Sequence, residues 1–125
     1  MISICKTFTF EAAHFLPFHQ GVCHNRHGHS YRLEVEVRGV PKKGNTPQKG
    51  MVIDFGHLKK IVEETILSKL DHSDLNENFG NPTAENMVFK IGTMIRNTLV
   101  TRNTGVCLQR VRLYETATAY AEWRP

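Results

Sequence analysis

Apolar and polar residues alternate from Ile2 to His14, with Phe8, Phe10 and Ala12 on the apolar side and His14 falling in register with them. Alternation of period two predicts a long strand. From Phe15 to Arg26 the alternation disappears around Pro17 and Gly21, so a loop is expected, of a length that more often serves function than connection alone. His27 to Val40 alternates again. Tyr31, Leu33, Val35 and Val37 continue the register of His27 and His29, while Arg32, Glu34, Glu36 and Arg38 take the opposite side. This is a second strand, antiparallel to the first. Pro41 to Gly50 breaks every pattern and reads as an exposed turn region, and Met51-Val52-Ile53 as a short pairing piece.

The period then changes. After Asp54, a suitable N-cap, Leu58, Ile61, Val62, Thr65, Ile66 and Leu70 recur at steps of three and four, which predicts an amphipathic helix. A polar loop is expected from Asp71 to Asn81. Pro82 and Thr83 open a second helix with Met87, Val88, Ile91, Ile95 and Leu99 on its apolar face. Beyond Gly105 a third strand runs from Val106 to Glu115, Thr116-Ala117-Thr118 turns the chain, and Ala119 to Trp123 forms a fourth. The order strand, strand, helix, helix, strand, strand predicts an α+β domain over residues 1–125: a four-stranded antiparallel sheet with both helices on one face. The other face and the outer strands would be exposed unless copies of the chain pair, so a homo-oligomer is expected.

Composition narrows this little. The chain has 125 residues, 40% hydrophobic and 22% charged, ordinary for one globular domain with a modest core. No apolar run is long enough to span a membrane and the N-terminus lacks a signal-peptide layout, so a cytoplasmic protein is expected. Cys5, Cys23 and Cys107 cannot all pair and fit reduced thiols. A net charge of +4 admits a nucleic acid or an anionic small molecule. The basic residues are dispersed and lack interleaved aromatics, and composition does not choose.

The chemistry concentrates in Cys23-His24-Asn25-Arg26-His27-Gly28-His29. His27 and His29 share a strand face, and two polar rings on a buried face need partners. Gly28 between them admits close backbone approach. Imidazoles suit zinc, and His14 is the best third ligand, although a single histidine in register with apolar residues also serves as an ordinary core residue. Cys23 reads three ways: a fourth ligand of a closed structural site, an activated thiolate, or an inert thiol. Asp71-His72 is either a histidine at the negative end of a helix dipole or a carboxylate-oriented acid/base. Glu115 either escapes to water at its strand end or offers two oxygens to paired N–H donors, as on an arginine or the 2-amino-4-oxo edge of a pterin or guanine. Thr83 and Glu85 read as helix capping or as contacts to such a ring.

Taken together, Phe10-Glu11-Ala12-Ala13-His14, Cys23 with His27-Gly28-His29, Leu70-Asp71-His72, Pro82-Thr83-Ala84-Glu85 and Tyr114-Glu115-Thr116 resemble the signature blocks of the 6-pyruvoyl-tetrahydropterin synthase and 6-carboxytetrahydropterin synthase family. The resemblance implies the tunnelling fold, in which sheets from several subunits join into a barrel and two trimers stack into a hexamer, with sites between subunits. It implies a Zn2+ site at His14, His27 and His29. It assigns catalysis to Cys23, Asp71 and His72, the pterin anchor to Glu115, and the rest of the pterin pocket to Thr83 and Glu85. The three-residue gap between Cys23 and His27 is similar to the queuosine-pathway branch. The expected substrate is therefore 7,8-dihydroneopterin triphosphate, and the expected products are 6-carboxytetrahydropterin, acetaldehyde and triphosphate, with neither nicotinamide nor flavin. The alternatives are the pyruvoyl branch and, from another class, a non-catalytic zinc-stabilised module that binds nucleotide or nucleic acid.

Overall fold

The computed structural model describes residues 1–125. Strand β1 (Ile2–His14) pairs antiparallel with β2 (His27–Gly39) along its whole length, placing Phe8 opposite Leu33, Phe10 opposite Tyr31, Ala12 opposite His29 and His14 opposite His27. The predicted alternation is what makes this register stable. A slip of one residue would turn Phe8, Phe10, Leu33 and Val35 to water. Strand β4 (Cys107–Thr116) pairs with β2, and β5 (Ala119–Trp123) pairs with β4, both antiparallel.

Helix α1 (Phe55–Val62) is capped by the Asp54 carboxylate, which accepts from the Gly56 amide at 2.7 Å. It continues through a π turn (Glu63–Leu67) into a last short turn, α2 (Ser68–Leu70). Helix α4 (Ala84–Thr101) crosses the same sheet face, and Met87, Val88, Ile91, Ile95 and Leu99 are buried as the periodicity predicts. It approaches β5 closely at Gly92, where an added Cβ would meet the Trp123 ring at 2.3 Å, so only glycine fits there. The buried apolar residues form one continuous core between the helices and the sheet.

Three expectations need correction. The sheet has five strands in the order β3-β1-β2-β4-β5, because Ser73–Asp74 (β3) adds a two-residue parallel edge beside Ala12 and Ala13. The stretch 71–81 is therefore not a plain loop: it also holds a short helix, α3 (Leu75–Asn78), which the fully buried Leu75 pins to the core. Its polar composition hid one anchoring leucine. Met51-Val52-Ile53 forms no strand; Val52 and Ile53 are buried as core side chains while Met51 closes the turn by accepting from the Lys42 amide.

The other sheet face is polar, and it is organised. Arg110 reaches Glu34 at 3.1 Å and Glu36 at 3.3 Å, Arg112 reaches Glu122 at 2.8 Å, and the Arg32 and Arg112 guanidiniums lie over the Tyr114 and Tyr120 rings. The paired side chains are only 14 to 25% exposed, so the charges of this face shield one another from water as well as pairing. Strand β5 and most of β1 leave their outer edges unpaired. No helix is long and apolar enough to cross a membrane.

Candidate metal centre and its surroundings

The β1–β2 register sets His14 directly across from His27, with His29 two residues along on the same face. The three imidazole centroids lie 4.7 to 5.0 Å apart and their planes are steeply inclined to one another, forming a three-sided cup. His14 is fully buried, whereas His27 and His29 are half-buried.

The outer ring nitrogens fix the orientation of the inner ones. His14 Nδ1 lies 3.0 Å from the Pro82 carbonyl and His27 Nδ1 lies 2.7 Å from the Asn25 carbonyl. A carbonyl can only accept, so each Nδ1 carries the proton and donates it, leaving each Nε2 with its lone pair turned inward. Those two Nε2 atoms face each other at 3.1 Å. Two lone pairs at that distance repel unless a proton or a cation stands between them. His29 Nε2 is buried without an aligned hydrogen bond, although the Glu115 carboxylate comes within 3.0 Å of it. The donor set and the orphaned nitrogen both fit a divalent cation that accepts imidazole ligands.

The fourth member of the group is Glu115, not Cys23: the ligand atoms of His14, His27, His29 and Glu115 all lie within 4.8 Å of one another. Glu115 reaches the cup through a bulge. Tyr114 pairs with Tyr120 and Thr116 with Ala119, so Glu115 is the extra residue on β4, and such a residue is free to be re-aimed. Its Oε1 is 3.5 Å from His14 Nε2. His14 beside it, supported by the neighbouring His29, holds this carboxyl below its ordinary range despite partial burial. Burial holds His29 below the ordinary imidazole value; His14 and His27 act the same way and Glu115 opposes them.

The other predicted residues are placed unequally. Cys23 lies half-buried in a 3-10 turn (Val22–His24), a free thiol outside the four-residue group. Asp71 accepts from the Glu11 amide at 3.0 Å, and His72, with its side chain 79% exposed, lies 3.7 Å from Asp71. His72 lines a hollow of about 440 Å³ with Glu11, Gly28 and Ser30. Thr83 caps α4 by accepting from the Asn86 amide at 3.2 Å, so the capping role is realised. Glu85 shares with Glu115 and Tyr120 a hollow of about 430 Å³ beside β5. Glu115 thus stands between the histidine cup and this hollow.

Sequence reasoning missed three contributors. Tyr31, stacked on Phe10 with centroids 4.9 Å apart, brings its hydroxyl to 3.2 Å from His14 Nδ1. Its place in the His27–His29 register was the available signal. The Pro82 and Asn25 carbonyls are backbone groups, for which no side-chain pattern exists.

Known proteins resemble this chain along nearly its whole length. A family model described as 6-pyruvoyl tetrahydropterin synthase matches residues 3–125. A Haemophilus influenzae protein named 6-carboxy-5,6,7,8-tetrahydropterin synthase is 35% identical over 146 residues, covering 99% of both chains. A Pyrococcus furiosus protein named dihydroneopterin monophosphate aldolase is 38% identical over 107 residues, covering 86% of this chain and 83% of its own. In fold, the chain superposes on the Caenorhabditis elegans 6-pyruvoyl tetrahydropterin synthase with a TM-score of 0.82 at 24% identity, covering 99% of this chain and 95% of that one. On this extent of match, the chain belongs to the 6-pyruvoyl tetrahydropterin synthase family, a family of enzymes.

Proposed function

We propose that the protein is a zinc-dependent 6-carboxy-5,6,7,8-tetrahydropterin synthase. In this reading 7,8-dihydroneopterin triphosphate and water give 6-carboxytetrahydropterin, acetaldehyde and triphosphate. The observation that carries the reading is the convergence of three imidazoles, two of them tethered through Nδ1, on one point at the end of β1 and β2. The name shared by relatives from Haemophilus influenzae and Synechocystis, at 35% and 44% identity, supports the choice of branch.

His14, His27 and His29 would hold Zn2+, which supplies Lewis-acid polarisation of the substrate's side-chain hydroxyls. Cys23, as thiolate, takes a proton from the substrate side chain, and His72 returns one as triphosphate departs. The redox change is internal: the dihydropterin ring is reduced while the retained side-chain carbon is oxidised to carboxylate, so no nicotinamide or flavin enters. Glu115 presents its carboxylate to the paired N–H donors of the pterin in the hollow it shares with Glu85. Thr83 holds the start of α4 at the edge of that pocket.

His72 is exposed and Cys23 sits in a separate loop, which supports a site completed between protomers. The unpaired edges of β1 and β5 and the charged sheet face support a homo-oligomer, a hexamer of two stacked trimers with the polar faces turned into a wet tunnel. The protein would act in the cytoplasm and feed queuosine or 7-deazapurine synthesis, with no nucleic-acid or membrane partner.

Product analysis by mass spectrometry tests the reading. Zinc-loaded protein given dihydroneopterin triphosphate is expected to form 6-carboxytetrahydropterin with stoichiometric acetaldehyde. Pyruvoyl-tetrahydropterin without acetaldehyde would move it to the other branch. Turnover of the monophosphate instead would align it with the Pyrococcus relative. No product at all, with salt-sensitive RNA or DNA binding, would favour the zinc-stabilised module.

A further inference from the structure

The loop between β1 and β2 begins at Phe15, next to His14, and ends at Arg26, next to His27, so its two feet adjoin the two facing histidines. Within the loop, the Leu16 amide donates to the Cys23 carbonyl at 2.7 Å and fastens the Cys23 turn to the first foot. The loop is also fastened from outside. The Asn76 side-chain amide accepts from the Phe15 N–H at 2.9 Å and donates to the Phe15 carbonyl at 3.0 Å, a two-pronged pairing of the kind one strand residue makes with another. At the second foot Arg26 contacts Asp74 at 2.5 Å while its guanidinium lies 5.1 Å from the centroid of the Phe15 ring. Asp74 also accepts from the Asn76 amide at 3.1 Å, joining the two fastenings.

The anchor is rigid. Asp74 belongs to β3, which pairs with Ala13 immediately before His14, and Leu75 between the two fastening residues is fully buried. The far side of the loop is free, with Phe18 81% and Val22 83% exposed. Cys23 is therefore held by its hydrogen bond to Leu16, by the backbone hydrogen bonds of its own turn, by the Asn25 carbonyl on His27 Nδ1, and by the two fastened feet.

We propose that Asp74 and Asn76 form a latch that positions Cys23, by clamping both feet of its loop to the segment that follows Asp71 and His72. They are positioning residues, acting through the loop and touching neither substrate nor metal. The catalytic part of the inference rests on the function proposed above, whereas the clamping of the loop does not. Asn76→Asp is the sharpest test, since it keeps the acceptor for the Phe15 N–H and its size but sets an oxygen against the Phe15 carbonyl. Asp74→Asn keeps the α3 cap and removes the charge that pairs with Arg26.

Zinc-loaded variants are compared with Glu77→Ala, an exposed change on the same short helix. Three readouts are taken: chymotryptic cleavage after Phe18, the pH–rate profile of Cys23 alkylation by iodoacetamide followed on its own peptide, and kcat against KM. In both latch variants cleavage is expected to accelerate and the alkylation profile to move. The expected fall in kcat is about tenfold to a hundredfold, the scale of losses from small misplacements, with KM and zinc stoichiometry unchanged. Glu77→Ala should match the parent throughout. Unchanged cleavage and alkylation in both variants would overturn the latch. Changed cleavage and alkylation with unchanged kcat would overturn its positioning role. A parent protein without turnover would defeat the proposed function, while cleavage and alkylation would still decide whether the loop is clamped.

Discussion

The histidine cup and the Asp71–His72 turn were both legible as short motifs, yet one chain finishes the first and leaves the second open. The cup is made where two fully paired strands end: His14 is buried, and backbone carbonyls hold His14 and His27 by their outer nitrogens. His72 has left-handed backbone geometry, φ 58°, and an exposed ring. Its amide donates to the Glu11 carbonyl at 2.6 Å, which fixes the backbone but not the imidazole. A non-glycine residue in that region costs on the order of 1 kcal/mol, a strain that ordinary turns avoid by using glycine or asparagine. The difference separates the tasks. Under the proposed function, a metal site needs its ligands gathered before the ion arrives, whereas a proton donor needs to be presented outward to its substrate.

The strongest way to break this contrast is to remove a member of each. His27→Ala takes away one of three imidazoles and is expected to weaken zinc binding by at least about a hundredfold, exceeding the loss usual for an outer-sphere partner, and to abolish turnover. Competition with a chromophoric chelator measures it. His72→Ala is expected to leave zinc affinity unchanged and to lower kcat by about a hundredfold to ten-thousandfold, the usual range for a general acid or base. If His72→Ala lost zinc as His27→Ala does, the two regions would be one site, and the separation of tasks would fail.

The same contrast explains what could be read in advance. The strands and both long helices were legible because Phe8, Phe10, Leu33 and Val35 repeat at two and Leu58, Ile61, Met87 and Ile91 at three or four, which is how faces are buried. His27 and His29 were legible as a pair because strand alternation puts them on one face, whereas the β1–β2 register is what sets His14 across from His27. Strand β3 and helix α3 were hidden, because a two-residue strand has no period and a four-residue helix shows only Leu75. Glu115 was placed correctly on the face of Val111 and Leu113, but the bulge that swings it to the histidines depends on how β5 pairs, which no local pattern encodes.

Acid sharpens the comparison further. His29 is held below its ordinary value of 6.5 mainly by burial. In the folded protein it therefore stays neutral to lower pH than in the unfolded chain. Its contribution to stability is fully present above 6.5 and is lost as pH falls toward the lowered value. A metal ion held by His29, as proposed, would compete with the same proton, so protonation of His29 should weaken its binding only below the ordinary imidazole value of 6.5. Because Glu115 favours the protonated ring, Glu115→Gln should move the His29 titration of the metal-free protein to still lower pH, observable by NMR. A move toward higher pH would mean that Glu115 does not face His29 in solution.

Tyr31→Phe is the smallest change and asks which tether holds His14. Nδ1 has one proton and two oxygens near it, the Pro82 carbonyl at 3.0 Å and the Tyr31 hydroxyl at 3.2 Å. Burial, with the Glu115 charge acting the same way, drives the Tyr31 pKa far upward, so the hydroxyl remains a neutral neighbour. The Pro82 carbonyl lacks a proton of its own, and donation from Nδ1 to it leaves Nε2 free for the cup. Phenylalanine preserves the ring and its stacking on Phe10, so only the hydroxyl is lost. The expected result is a fall in zinc affinity of no more than about tenfold, at the low end for an outer-sphere partner, and a loss of stability of about 1 kcal/mol. A hundredfold fall would make the Tyr31 hydroxyl the tether, and the carbonyl of Pro82 would then be a bystander to the orientation of His14.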